Sequence, residues 1–121
     1  MTTGPSILFV DDSPVACRAF ARLLEMRGYR VTAAGNGKEA LTLFSETTFD
    51  IVISDLHLRS SLTGIDVLKE CQKVRPSTGR ILVTAIDCEV VEDVLKELEA
   101  LCITKPVQID ELLACVQRVV G

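Results

Sequence analysis

Apolar positions along the chain follow two alternating rhythms. Short unbroken runs, Ile7-Leu8-Phe9-Val10, Ile51-Val52-Ile53, Ile81-Leu82-Val83 and Leu101-Cys102-Ile103, read as strands buried on both faces of a parallel sheet. Between them, apolar residues recur at spacings of three and four, the helical period. Ser13 and Pro14 form a helix start, as N-cap and first helical residue, and Gly28 closes that helix after a stripe of Ala16, Phe20, Leu23 and Leu24. A strand from Arg30 to Ala34 and a Gly35-Asn36-Gly37 turn lead to a helix burying Ala40, Leu41 and Phe44. After the strand Ile51 to Asp55 comes a polar loop, Leu56 to Thr63, and then a helix opened by Gly64 that carries Val67, Leu68, Cys71 and Val74. The strand Arg80 to Thr84 precedes a helix from about Cys88 to Glu99, with Val91, Val94, Leu95 and Leu98 inward. A strand from Leu101 to Thr104 and a helix from Ile109 to Val119 complete the pattern. Strand and helix alternate five times, which predicts an α/β protein with a doubly wound, five-stranded parallel sheet in three layers.

The 121 residues, 48% hydrophobic and 25% charged, suit one domain spanning 1–121 and leave no room for a second. A net charge of −4 gives no general attraction to a polyanion, so no direct nucleic-acid or membrane partner is expected. No apolar run approaches the roughly 20 residues that span a bilayer. The start, Met1-Thr2-Thr3-Gly4-Pro5, lacks a signal-peptide pattern, and the expected location is cytoplasmic. The five cysteines, Cys17, Cys71, Cys88, Cys102 and Cys115, contain no Cys-x-x-Cys, and His57 is the only histidine. A zinc site is therefore not expected, and each cysteine reads as a small hydrophobe with a reduced thiol. Gly37-Lys38 lacks the spacing of a phosphate-binding P-loop, and Glu39 stands where Ser or Thr should be.

Four of the five strands end in a chemically distinctive group: Asp11 with Asp12, Asp55, Thr84, and Lys105. In open α/β sheets, ligands bind in the crevice outside the carboxyl ends of the strands. If strands 1, 3, 4 and 5 are neighbours, these groups meet there. Three carboxylates so close would raise one another's pKa unless a cation is present, and magnesium, with its preference for oxygen ligands, is the simplest choice. Lys105 lies two strands from Asp55, roughly 10 Å at about 4.8 Å per strand, a span its stem could largely cover. A carboxylate beside a metal, a hydroxyl and an ammonium is equipped to attack phosphorus and carry an acyl phosphate that water later removes.

Asp11-Asp12 after strand 1, Asp55 after strand 3, Thr84-Ala85 after strand 4 and Lys105-Pro106 after strand 5 form an ordered set. Over essentially its whole length the chain resembles the CheY-like receiver domain of response regulators from two-component systems. The resemblance implies a flavodoxin-like strand order of 2-1-3-4-5 and a cis peptide before Pro106. It makes Asp55 the phosphoacceptor, Asp12 a direct Mg2+ ligand, Asp11 a ligand through water, and the backbone carbonyl of His57 a further ligand. The phosphoryl donor would be a histidine kinase or histidine phosphotransfer protein, and the recipient of the signal a downstream effector or output domain. Such a domain catalyses only its own phosphorylation and dephosphorylation, so an enzyme acting on other substrates is not expected. Dimerisation through the fourth helix, fifth strand and fifth helix stays open.

Two departures stand out. Receivers commonly follow the acceptor with a Met-Pro pair and a Gly eight residues on, whereas here Leu58-Arg59 replaces the pair and Gly64 comes nine residues on. Receivers also usually carry Tyr or Phe three residues before the lysine, where this chain has Cys102. A thiol fills far less volume than a ring, so any switch is expected to run through Thr84 and the fourth helix without an aromatic rotamer. The His57 imidazole reads as an exposed loop group that, with Ile86, tunes the access of water to the site. Three other functions compete with this one. A phosphatase of the haloacid dehalogenase type resembles Asp-x-Asp, but position 13 is Ser. A flavin carrier would find its phosphate repelled by acids in the first loop. A degenerate binding scaffold conflicts with the intact acids and Lys105, although Cys102 keeps that reading open.

Overall fold

The computed structural model describes residues 4–120; Met1 to Thr3, part of the segment read as lacking a signal peptide, and Gly121 lie outside the described residues. Strands β1 (Ser6–Val10), β2 (Arg30–Ala34), β3 (Ile51–Asp55), β4 (Gly79–Thr84) and β5 (Leu101–Thr104) pair in parallel in the order β2-β1-β3-β4-β5. Helices α1 (Pro14–Glu25), α2 (Gly37–Glu46), α3 (Gly64–Val74), α4 (Glu92–Leu98) and α5 (Ile109–Val120) cover the two faces. The doubly wound, three-layer arrangement follows the alternation of strand and helix in the sequence.

The period of two along each strand divides the core. Ile7 and Phe9, Ile51 and Ile53, Ile81 and Val83, and Ile103 pack with Cys17 and Leu24 of α1 and Leu112 and Val116 of α5. Leu8 and Val10, Val52, and Leu82 pack instead with Phe44 of α2, Val67 and Leu68 of α3, and Leu95 and Leu98 of α4. Continuing the same alternation past the apolar runs assigns Asp11, Asp55 and Lys105 to the α1/α5 face and Thr84, Cys102 and Thr104 to the α4 face.

Local chemistry sets the helix boundaries. The Ser13 hydroxyl accepts from Ala16 N at 3.2 Å, with Pro14 at the first helical position, and Gly28 turns the chain at φ +96°. Thr63 caps α3 in a reciprocal box: Asp66 N donates to Thr63 Oγ1 at 3.2 Å while Thr63 N donates to Asp66 Oδ2 at 2.9 Å. Gly64 has no room for a side chain, because a Cβ would strike the Asp55 carbonyl.

The structure corrects several expectations. Leu23 and Val74 are exposed, at 39% and 54%, and Cys17 occupies the inward position on α1. The fourth helix is not continuous: a 3-10 turn, Cys88–Val91, precedes a seven-residue α4. The expectation of five reduced thiols fails for two of them. Cys88 and Cys102 form a disulfide across 14 residues, while Cys17, Cys71 and Cys115 are free. Cys102 and the 3-10 turn lie on the same face of the sheet, and that juxtaposition cannot be read before the strand register is known. Arg80, hydrophilic in sequence, is 5% exposed; it donates from Nε to Leu98 O at 2.6 Å and from Nη1 to Thr78 O at 2.6 Å and Pro76 O at 3.1 Å.

Candidate functional site

The first acids leave β1 at its carboxyl end, where the chain turns into α1. Asp11 N donates to Ala34 O at 3.1 Å, and Asp11 Oδ1 accepts from Ser13 N at 2.9 Å, so the acid is held by the same turn that starts the helix. Asp55 closes β3, where Leu56 N bonds Val83 O at 2.8 Å. One carboxylate oxygen from each of Asp11, Asp12 and Asp55 lies within 4.8 Å of the others. The Lys105 ammonium arrives from the end of β5 and donates to Asp55 Oδ2 at 2.7 Å. The peptide bond to Pro106 is cis, as the resemblance implies. Asp11, Asp55 and Lys105 border a cleft of about 230 Å³ whose depth is apolar, with Phe9, Phe20 and Ile53 among its walls.

Burial and crowding act on these charges together. Burial raises the Asp11 pKa above its ordinary value against the Ser13 N–H that lowers it, and the carboxylates of Asp55 and Asp12 add to the rise. Burial pulls the Lys105 pKa down, but the hydrogen bond to Asp55 and the charges of Asp55, Asp11 and Asp12 outweigh it, and the net shift is upward. Asp12 Oδ2 is buried yet receives no hydrogen bond. Arg59 Nε stands 3.0 Å from it without an aligned N–H, and that arginine's side chain is 90% exposed. A buried oxygen without a donor, beside two further carboxylate oxygens, is a donor set suited to a hard divalent cation.

Thr84 belongs to the other face. It is fully buried, its Oγ1 accepts from Ile86 N at 3.1 Å, and it pairs in register with Thr104. Among the described residues no hydrogen bond joins it to the acids. The His57 imidazole and Ile86 are both exposed, and the imidazole stands outside the three-carboxylate group.

The nine-residue excursion after Asp55 is pinned at three points. Leu56 and Leu58 are buried, and Gly64 N donates to Leu56 O at 2.8 Å. Arg59 takes a left-handed backbone at φ 49°, which orients its side chain back over Asp12. In the sequence Leu58-Arg59 stands out only as a departure. The signal available there was a cation four residues beyond a presumed acidic centre, but its approach depends on a backbone turn that non-glycine residues rarely signal.

The chain matches the family model described as the response regulator receiver domain over residues 7–117. It is 37% identical over 115 residues to the sensory transduction protein RegX3 of Mycolicibacterium smegmatis, covering 94% of this chain and 50% of that protein. It is 35% identical over 107 residues to the transcriptional regulatory protein ZraR of Klebsiella oxytoca, covering 88% of this chain and 24% of that one. The chain thus spans half or less of the length of these relatives. Among solved structures, a response regulator receiver domain protein from Clostridium thermocellum superposes with a TM-score of 0.89 at 29% identity, covering 97% of this chain and 94% of the other. The response regulator TrrA of Thermotoga maritima, solved in complex with Mg(2+)-BeF, superposes with a TM-score of 0.85 at 30% identity, covering 96% and 99%. Sheet order, the acidic cluster and sequence match agree: the chain belongs to the response regulator receiver domain family.

Proposed function

We propose that the chain accepts a phosphoryl group on Asp55 and releases it by hydrolysis. The observation that carries this reading is the 2.7 Å contact of the Lys105 ammonium with Asp55 Oδ2 inside a group of three carboxylates. An Asp55 oxygen attacks the phosphorus of a phosphohistidine on a histidine kinase or histidine phosphotransfer protein; the P–N bond breaks as the acyl phosphate forms. Mg2+, when bound, would supply positive charge to the phosphoryl oxygens. Asp11, Asp12, Asp55 and the His57 carbonyl are the residues that would hold it. Lys105 neutralises charge on the same oxygens, and the Thr84 hydroxyl, which now accepts from Ile86 N, keeps its own proton to donate to one of them.

The group leaves when water attacks the acyl phosphate, so the chain acts on itself and turns over no other substrate. The signal passes through the face formed by α4, β5 and α5 to a downstream effector or output domain, with dimerisation through that face an alternative route. The RegX3 and ZraR relatives are transcriptional and sensory regulators of greater length, which supports a partner of this kind. Among the described residues no helix is long and apolar enough to cross a membrane; we take the chain as one cytoplasmic receiver domain over 1–121. Incubation with acetyl phosphate and Mg2+ should add one phosphoryl mass to the wild type and none to Asp55→Asn. A chain that gains no such mass, or gains it equally after the substitution, removes the basis of this reading.

A further inference from the structure

We propose that Cys88 and Cys102 form a reversible redox-modification site, reduced by a dithiol, that sets how firmly the connection between Thr84 and α4 is held. The disulfide closes the loop from the 3-10 turn at Cys88 to the middle of β5, where Cys102 pairs in register with Leu82. Between the two cysteines stands α4, which has seven residues, no side-chain cap at its amino end, and a left-handed Glu99 at its carboxyl end. A helix this short does not hold itself together in water, so its position depends on its attachments. At the carboxyl end, the buried Arg80 guanidinium binds Leu98 O at 2.6 Å. At the amino end the disulfide is the covalent attachment, reinforced by burial of Leu95. The residues released when it opens, Ala85 to Cys88, directly follow Thr84 and include the Ile86 N–H that engages the Thr84 hydroxyl.

Both cysteines are only half-buried, which leaves the bond open to a small reductant. The other thiols are separable from this chemistry. Burial pushes the Cys71 thiol up to about 12 and also raises Cys17 and Cys115. The Thr104 hydroxyl lies 3.3 Å from Cys88 Sγ, and since a disulfide sulfur carries no proton, Thr104 is the donor. That hydrogen bond stabilises Cys88 as the departing thiolate, so the incoming thiolate attacks Cys102 Sγ. The Cys88–Cys102 bond breaks as a mixed disulfide forms on Cys102, and the Cys88 thiolate takes up a proton. The second thiol of the reductant then displaces Cys102. Two electrons and two protons have passed to the protein, and the dithiol has become a disulfide.

The test uses the full chain purified without reductant, treated with dithiothreitol or left untreated, then blocked with N-ethylmaleimide and mapped by peptide mass. Untreated protein should show residues 88 and 102 linked and unlabelled; treated protein should show both labelled in equal amount, and oxidised dithiothreitol should restore the link. Backbone amides of Ala85 to Leu98 should exchange at least about tenfold faster in the reduced chain and in C88S/C102S, with or without reductant, while α2 stays unchanged. Thr104→Val should slow reduction without changing its end point. Free labelling of both cysteines in the untreated protein, or equal exchange in the two redox states, overturns the proposal. The bearing of this connection on phosphoryl transfer, through the Thr84 hydroxyl, rests on Asp55 being the acceptor. A parallel acetyl phosphate reaction separates the two: no phosphorylation in either redox state defeats the acceptor reading, whereas the labelling and exchange results stand independently.

Discussion

At the carboxyl edge of the sheet, the two faces carry different chemistry. Toward α1 and α5, the positions continuing the inward rows of β1, β3 and β5 are Asp11, Asp55 and Lys105, all ionisable and crowded to hydrogen-bond and ion-pair distances. Toward α4, the corresponding positions are Thr84, Cys102 and Thr104, all uncharged, with Arg80 buried deeper on the same face. Like charges in a half-buried cleft repel and are held there by surrounding structure; they contribute reactivity at the expense of stability. The α4 face instead holds a disulfide and a guanidinium bonded to three carbonyls. The contrast teaches that a substitution on the α1/α5 face should change chemistry with little loss of stability, and one on the α4 face away from Thr84 should change stability with little loss of chemistry.

The largest expected effect on stability falls at Arg80. Methionine there has the length to fill the space but leaves the buried carbonyls of Leu98 and Thr78 without their donor, each unpaired group costing about 1–3 kcal/mol. Removing a buried charge offsets part of this, and a net loss of roughly 3–4 kcal/mol is expected for Arg80→Met. Urea unfolding measures it. Phosphorylation of Asp55 at temperatures well below the melting point should persist; its disappearance would show that the two faces are not separable.

Next comes the disulfide itself. Opening a loop of 14 residues should cost about 3 kcal/mol by the loop-entropy relation, so C88S/C102S is expected to unfold at lower urea by that amount. The wild type in excess dithiothreitol should match the double variant. A difference well under 1 kcal/mol would mean that α4 is anchored almost wholly by Arg80, Leu95 and Leu98.

The same contrast explains what was legible beforehand. The acid-bearing edge could be read because its signal is local: an apolar strand interrupted by a carboxylate needs no knowledge of neighbours, and the period of two carries Asp55 to the face of Ile51 and Ile53. Lys105 was legible once the strands were ordered. The α4 face was not, because its contacts depend on register and on where a short 3-10 turn ends. Cys88 read as a helix start and Cys102 as a strand residue, and nothing in their separation pairs them. Arg80 read as the polar edge of a strand, since a lone cation satisfied by carbonyls leaves no partner acid in the sequence to find. Leu23 and Cys17 were exchanged on α1 because leucine outranks cysteine in apolar character, although helix phase put the thiol inward at the spacing Cys17, Phe20, Leu24.

The smallest expected change in stability, and the sharpest test of the contrast, lies at Lys105. Its ammonium bonds a buried carboxylate at 2.7 Å, which taken alone suggests a strong contribution. The lysine side chain is 39% exposed, however, and solvent screens a pair of this kind to about 1 kcal/mol or less. Lys105→Met loses that attraction but keeps an apolar stem along the cleft lined by Phe9 and Val107. Unfolding free energy should therefore move by less than about 1 kcal/mol. Phosphoryl transfer to Asp55 should instead fall by orders of magnitude, because the lost charge faces oxygens whose negative charge must be met as the bond forms. A variant that unfolds several kcal/mol earlier, or phosphorylates at the wild-type rate, would place Lys105 with Arg80 as a structural cation and erase the distinction between the two faces.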